Sequence, residues 1–518
     1  MTRATGAPPA AGRGPVTRAA RVTARAAGLP RWTVVVLSVL AWAAALAAIE
    51  PIVHGYLTNP PDQRLVDLNV YRSGGLSVLQ GQPLYRMLTQ PPQLLPFTYP
   101  PLAAIFAVPL ALLSWPAAQL VWVAFVYVPL AVIIWYAFRP LLRRAGRWWP
   151  VAFAAIFCAA AYLFPMQDEM RFGQVDAVLA AMFVADCAAV RPRWPRGALI
   201  GLATAIKLVP GVFIIYLWAS GRRRAARTAA LAALAWTAGA YLLLPRDSVT
   251  YWTSAIFQSG RLGNNAGTEN QSLRGLLLRI FLPGHAPAAL WVLLALAVAV
   301  PGFALARRLS RERCEMAGIA VTALLEVLIS PVAWIHYFLM VLIAIGVIAG
   351  DGRRPRRVLT AAGTAVFFGL SIPWWGHSLL SDPAVPRLLS RAVEDAFGIA
   401  AVALIVVIAR MRKTGTDRDR PGDGTGAGDA GGAGPAAAVP EVLAPGAAAD
   451  MSFLTNCNRY SSDRDYGHVH RARVAGRGSR DRTGPQRATV RRPGGDRVRR
   501  PDRRQRRIIR HRRPACAP

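Results

Sequence analysis

TVVVLSVLAWAAALAAI, residues 33–49, is a run of seventeen residues without a charge. That is close to the about twenty residues an α-helix needs to cross a hydrocarbon core. Similar runs recur along a chain of 518 residues that is 54% hydrophobic with a mean hydropathy of +0.31. They are continuous rather than alternating, so they read as helices and not as the strands of a barrel. The expected fold is an all-α polytopic membrane protein.

Ala45 and Ala47 resemble a signal-peptidase site, but the apolar run is long for a signal core and reads as a retained anchor. Residues 1–31 hold six Arg and no acid, which assigns the N-terminus to the cytoplasm. Further basic clusters at Arg139–Arg147, Arg191–Arg196, Arg222–Arg227, Arg307–Arg313, Arg353–Arg357 and Arg410–Lys413 mark the other cytoplasmic loops by the same rule.

This charge pattern places about ten spans near 33–50, 117–138, 148–164, 174–190, 228–244, 286–306, 315–331, 334–349, 358–375 and 394–411. Residues 102–114 are too short to cross and read as a partial, interfacial helix. Residues 197–218 are long enough, yet basic residues flank both ends. A re-entrant hairpin broken at Lys207-Leu208-Val209-Pro210 resolves this, because Pro210 cannot continue a regular helix. A version with twelve spans, in which both short elements cross, is the rival.

The domain division is a basic N-terminal segment (1–31), a transmembrane domain (32–412) and a basic cytoplasmic tail (413–518). The tail is rich in Gly, Ala, Pro and Arg and reads as disordered. Net charge is +34, but eighteen Arg against three Asp fall within residues 471–518. The charge belongs to tail and loops and does not indicate a nucleic-acid binder. None of the five Cys forms a CxxC pair, so neither a disulfide framework nor a zinc site is expected.

Between the basic loops lie segments with the polar and aromatic motifs. They hold Asp67-Leu-Asn-Val-Tyr71, Gly81-Gln-Pro-Leu-Tyr85, Phe97-Thr-Tyr-Pro-Pro-Leu102, Asp168-Glu169, Gly173-Gln-Val-Asp176, Asn270-Gln-Ser-Leu-Arg274 and Ser330-Pro-Val-Ala-Trp-Ile-His-Tyr337. Carboxylates, amides, aromatics and cations thus converge on one membrane face. Sugar transfer from a lipid phosphate needs such a set. A carboxylate takes the proton of the attacking hydroxyl, and cations and amides neutralise the departing phosphate. Asp67 is the expected general base. Asp168-Glu169 reads equally as a hydrated turn or as an acceptor or metal site.

Together with Lys207-Leu-Val-Pro210, these motifs in this order resemble glycosyltransferase family 87 of the GT-C superfamily, the actinobacterial polyprenyl-phosphate-mannose-dependent alpha-(1,2)-mannosyltransferases. The resemblance runs over roughly residues 33–411. It implies a multi-spanning GT-C fold, an extracytoplasmic active site in the plasma membrane, and inverting transfer from polyprenyl phosphomannose to a glycolipid or glycan acceptor. It implies no cofactor beyond that donor. The family's catalytic Asp in the first outer loop falls on Asp67 and its signature histidine on His336. Tyr337 stands where a second histidine is common, a departure from the pattern.

Tyr71, Tyr99, Gln174, Lys207, Asn270, Gln271 and Arg274 are the expected donor and acceptor contacts, with Arg274 suited to bidentate contact with phosphate. Lys207 can also snorkel towards headgroups, and His336 can merely bond a loop carbonyl. Glu326, inside a span, reads as a hydrogen-bonding link between helices. No metal ligand set is expected. The competing reading is a transporter or lipid flippase, which a broken helix and intramembrane Lys207 and Glu326 would also suit. An arabinosyl or glucosyl donor is the alternative within enzymes.

Overall fold

The structure of the chain is a computed structural model that describes residues 30–60, 63–280 and 285–416. Most of the expected N-terminal segment and nearly all of the expected disordered tail lie outside the described residues. Among those residues the regular elements are helices, and the β structure is one isolated antiparallel bridge between Leu88 and Pro96.

Each stretch expected to span carries helix. Arg31–Thr58, Trp115–Ala137 and Ala288–Arg311 are individually long and apolar enough to cross a bilayer. Three bent pairs reach that length together: Arg139–Ala161 with Phe164–Phe172 at 69°, Pro355–Gly369 with Ile372–Leu379 at 53°, and Arg387–Glu394 with Ala396–Met411 at 65°. In the first two pairs a proline, Pro165 or Pro373, opens the second helix, as proline favours a helix start and disfavours helical backbone just before it. Other helices are short. Asp176–Ala188 has 13 residues, about 20 Å at 1.5 Å per residue.

The bundle is built around Glu315–Ile329, in which every residue from Ala317 to Leu328 is buried. A helix apolar on all sides has to be enclosed by others. It packs against His285–Arg311, Val341–Ala349, Ala396–Thr416 and Asp176–Ala188. Residues 102–114 form the short helices Pro101–Phe106 and Val108–Ala111, both lying on Val66–Leu79, in keeping with a partial element.

The break at Lys207 is where the sequence puts it. Ala198–Ile206 ends at Lys207 in extended backbone (φ −148°, ψ 128°), a 3₁₀ turn follows at Val209–Gly211, and Val212–Ala219 completes the segment. The contacts of Ala198–Ile206 set its direction against Arg223–Leu243. A Cβ on Gly201 would stand 2.6 Å from Ala232 Cβ, while Ala205 packs on Ala240. The two helices therefore run parallel in close contact. Val212–Ala219 turns through Ser220–Gly221 into the start of Arg223–Leu243, so it returns antiparallel to Ala198–Ile206. The segment is a hairpin with Lys207 at its tip.

Candidate active site

Asp67 lies in the first turn of Val66–Leu79, where the helix dipole favours a negative charge. Tyr71 is one turn further along the same face. Leu65, just before the helix, holds a left-handed backbone (φ 45°) and donates its N–H to Arg171 O at 3.2 Å. That bond ties the start of the helix to the end of Phe164–Phe172.

Gly173 closes Phe164–Phe172 in the left-handed conformation (φ 70°), and a Cβ there would stand 2.8 Å from Leu68 Cβ. Only glycine meets both demands without strain. The close approach delivers Gln174 to Asp67. Gln174 Nε2 donates to Asp67 Oδ2 at 2.6 Å. Gln174 Oε1 accepts from the hydroxyls of Tyr71 at 2.7 Å and Tyr99 at 3.2 Å. Tyr71 and Tyr99 meet edge to face with centroids 5.0 Å apart, and Trp122 stands 6.0 Å behind Tyr71.

Burial pushes the half-buried Asp67 carboxyl up to about 6. The Gln174 hydrogen bond and the Lys207 charge act in the opposite direction, while the charges of Asp168 and Asp176 add to the rise. A carboxylate tuned towards neutrality fits a proton acceptor better than an ordinary surface acid does.

Lys207, at the hairpin tip, is buried. Its Nζ donates to both oxygens of Asp176, at 2.9 and 2.8 Å. It lies 4.1 Å from the centroid of the Tyr337 ring and 5.5 Å from that of Tyr99, distances that favour a cation over an aromatic face. His336 sits on the 3₁₀ segment Ile335–Met340, which packs on Phe164–Phe172. Its Nδ1 is 3.2 Å from Asp168 Oδ2 and its Nε2 3.6 Å from Asp176 Oδ2. Glu169 Oε1 accepts the N–H of Ala177 at 2.8 Å.

Three buried polar atoms in this cluster have no hydrogen-bond partner: Glu169 Oε2, Glu326 Oε2 and His336 Nε2. Buried polar groups are almost always paired, so their grouping marks a site with unused bonding capacity. Among the described residues no group of three or more His, Cys, Asp or Glu is arranged to hold a metal.

The structure thus gathers Asp67, Tyr71, Tyr99, Gln174, Lys207 and His336 into one region. Asp168 and Glu169 do not form a hydrated turn: they are 4% and 0% exposed, covered by the segment carrying His336. Glu326 is buried beside Asp176 and Lys207 rather than making a hydrogen-bonded link through Oε2. Asp176 is the residue the sequence reading did not assign, although it ends Gly-Gln-Val-Asp. The available signal was an acid at the head of an apolar run.

Asn270 and Gln271 do other work. Asn270 Oδ1 accepts the N–H of Ala333 at 3.0 Å, and its Nδ2 donates to Asn265 O at 2.8 Å. Gln271 Nε2 donates to the carbonyls of Thr268 and Glu394, both at 2.7 Å. These amides pin the loop to Val332–Trp334 and to the bend at Asp395, and both residues are buried. Arg274 stands apart from the cluster, 5.9 Å from the centroid of Trp291. The buried guanidinium of this segment is that of Arg279, bound to Asp395.

The description of glycosyltransferase family 87 fits residues 97–331, a stretch that takes in the hairpin and Gln174 but not Asp67 or His336. Over 371 residues the chain is 35% identical to the polyprenol-phosphate-mannose-dependent alpha-(1-2)-phosphatidylinositol mannoside mannosyltransferase of Mycolicibacterium smegmatis, covering 66% of this chain and 83% of that one. The protein of the same description from Mycobacterium tuberculosis is 33% identical over 389 residues, with 67% and 90% covered. A Mycobacterium tuberculosis pentamannoside mannosyltransferase is 32% identical over 372 residues, covering 69% and 81%. Among solved structures, ArnT from Cupriavidus metallidurans bound to undecaprenyl phosphate matches with a TM-score of 0.36 at 16% identity, over 72% of this chain and 71% of that one. The identity to whole enzymes over most of their length shows that the chain belongs to glycosyltransferase family 87 and is a membrane glycosyltransferase.

Proposed function

We propose that this protein transfers mannose from a polyprenyl-phosphate donor to a mannoside glycolipid, with inversion at the anomeric carbon and with Asp67 as general base. The donor and acceptor classes follow the printed functions of its relatives, which act on phosphatidylinositol mannosides. An acceptor hydroxyl attacks the anomeric carbon, the bond from that carbon to the phosphate oxygen breaks, and polyprenyl phosphate leaves with the electron pair. The hydroxyl proton passes to Asp67.

The observation that carries this reading is the state of Asp67. One oxygen is held by Gln174, Oδ1 accepts no hydrogen bond among the described residues, and burial has raised the carboxyl towards neutrality. Lys207, whose charge acts on Asp67, supports a role in neutralising the departing phosphate; Arg274, set against Trp291, has less geometric support. The reaction as proposed calls on no cofactor besides the donor, and it takes place on the extracytoplasmic face, where the positive-inside pattern puts Asp67.

Asp67→Asn keeps the side-chain shape and removes the base. Turnover with polyprenyl phosphomannose in detergent is expected to fall by about 10²-fold or more, the scale of lost general-base assistance. Near-normal turnover in a folded Asp67→Asn protein would sink the assignment.

A further inference from the structure

We propose that Gln174 is the positioning residue of the base: its amide, locked by the phenols of Tyr71 and Tyr99, fixes the Asp67 carboxylate so that Oδ1 is the oxygen offered to the acceptor. This rests on Asp67 being the base, and it gives Gln174, Tyr71 and Tyr99 a different task from contacting sugar.

The two ends of an amide are chemically opposite, so its neighbours decide which way it faces. A carboxylate only accepts, and Asp67 Oδ2 lies 2.6 Å from Nε2. Turning the amide over would bring its carbonyl against that oxygen, two acceptors face to face. It would also withdraw the acceptor that now receives two phenols, from Tyr71 and Tyr99. The phenols are themselves fixed. Their oxygens are 2.9 Å apart, and the Tyr85 hydroxyl donates to the Tyr99 carbonyl at 2.7 Å, holding the backbone beneath the ring.

Three segments distant in sequence therefore agree on one amide orientation: the helix Val66–Leu79, the stretch around Tyr99 and the turn after Gly173. The other titratable groups facing Asp67 are Lys207, Asp168, Asp176 and Tyr337. None of these forms a hydrogen bond to its carboxylate among the described residues.

Gln174 also donates to the charged form of Asp67, which opposes the effect of burial. Removing that donor should raise the pH at which the base becomes available. A sugar contact would instead change substrate affinity and leave this pH where it is.

The experiment uses the purified full-length protein with polyprenyl phosphomannose and a phosphatidylinositol mannoside, following kcat and KM against pH. Gln174→Leu is expected to lower kcat about tenfold near neutrality and to move the acid limb up by about one pH unit, with KM within about twofold. Gln174→Glu sets a second carboxylate against the first, so its limb should move further and its rate should recover at high pH. Should Gln174→Leu fail to fold, the Tyr71→Phe, Tyr99→Phe double variant keeps both rings and should shift the limb in the same direction.

An unmoved limb with a raised KM would overturn the inference in favour of a sugar contact, and an unmoved limb with unchanged kcat would overturn it outright. The Asp67→Asn control separates the two failures. If that variant turns over normally, the base assignment falls and takes this inference with it. If it is inactive while the Gln174 variants keep the wild-type limb, only the positioning role falls.

Discussion

Asp67 is governed by two opposed effects, and their balance sets its working range. Burial favours the protonated acid, while the Gln174 hydrogen bond and Lys207 favour the carboxylate; the outcome is a group near 6 instead of the ordinary 3.8. Only the carboxylate can take a proton. The wild-type enzyme should therefore lose kcat/KM as pH falls through about 6, by about tenfold for each further unit. Transfer assays across that range check this. A profile flat down to pH 4.5 (about the range of an unperturbed acid) would place the base elsewhere. Asp67 was legible in the sequence as an acid in an outer segment next to aromatics. Its surroundings were not, because hydrogen bonds spanning 107 residues to Gln174 leave no local trace. The same holds for Asp176, whose partner Lys207 is 31 residues away, and for Asp168, whose cover is a histidine 168 residues on. Asn270 and Gln271 were visible as amides, but only packing could reveal that their donors and acceptors are taken up by backbone.

At the scale of elements, the hairpin at Lys207 was readable because proline and charge speak locally: Pro210 stops a helix, and arginines at both ends argue against a crossing. Helix lengths were less readable. Apolar runs of similar appearance end as a 28-residue helix at Arg31–Thr58 and a 13-residue one at Asp176–Ala188, because packing against other helices decides where a short span stops. The hairpin makes a topological statement that can be checked. Arg193 and Arg224 are both exposed and lie at its two ends. Single cysteines at these positions should resist an impermeant thiol reagent added outside intact cells and react together once the membrane is opened. Leu208, beside the tip and 37% exposed, belongs to the opposite side, so a cysteine there should react from outside. Labelling of position 224 from outside, with 193 protected, would turn the hairpin into a crossing.

For the whole molecule, the fold places a charged, partly unsatisfied cluster beside apolar surface. Leu208 follows Lys207 directly and Phe106 follows the Tyr99 segment closely; they are 37% and 45% exposed. A polyprenyl chain can lie along such a rim while its phosphate reaches inwards, whereas a nucleotide would set a charged, hydrated group against the same surface at a desolvation cost. The proposed orientation argues the same way, since it turns the site away from the compartment where nucleotide sugars are made. The purified protein in nanodiscs, supplied with a phosphatidylinositol mannoside, should accordingly form a new glycosidic bond with polyprenyl phosphomannose and give about a hundredfold less product with a nucleotide-linked mannose, a difference worth about 2.7 kcal/mol in transition-state stabilisation. Mass spectrometry of the extracted lipids reads both arms. Equal transfer from the nucleotide sugar would defeat the lipid-donor proposal, and movement of lipid between leaflets without a glycosidic bond would restore the transporter reading that the family relationship displaced.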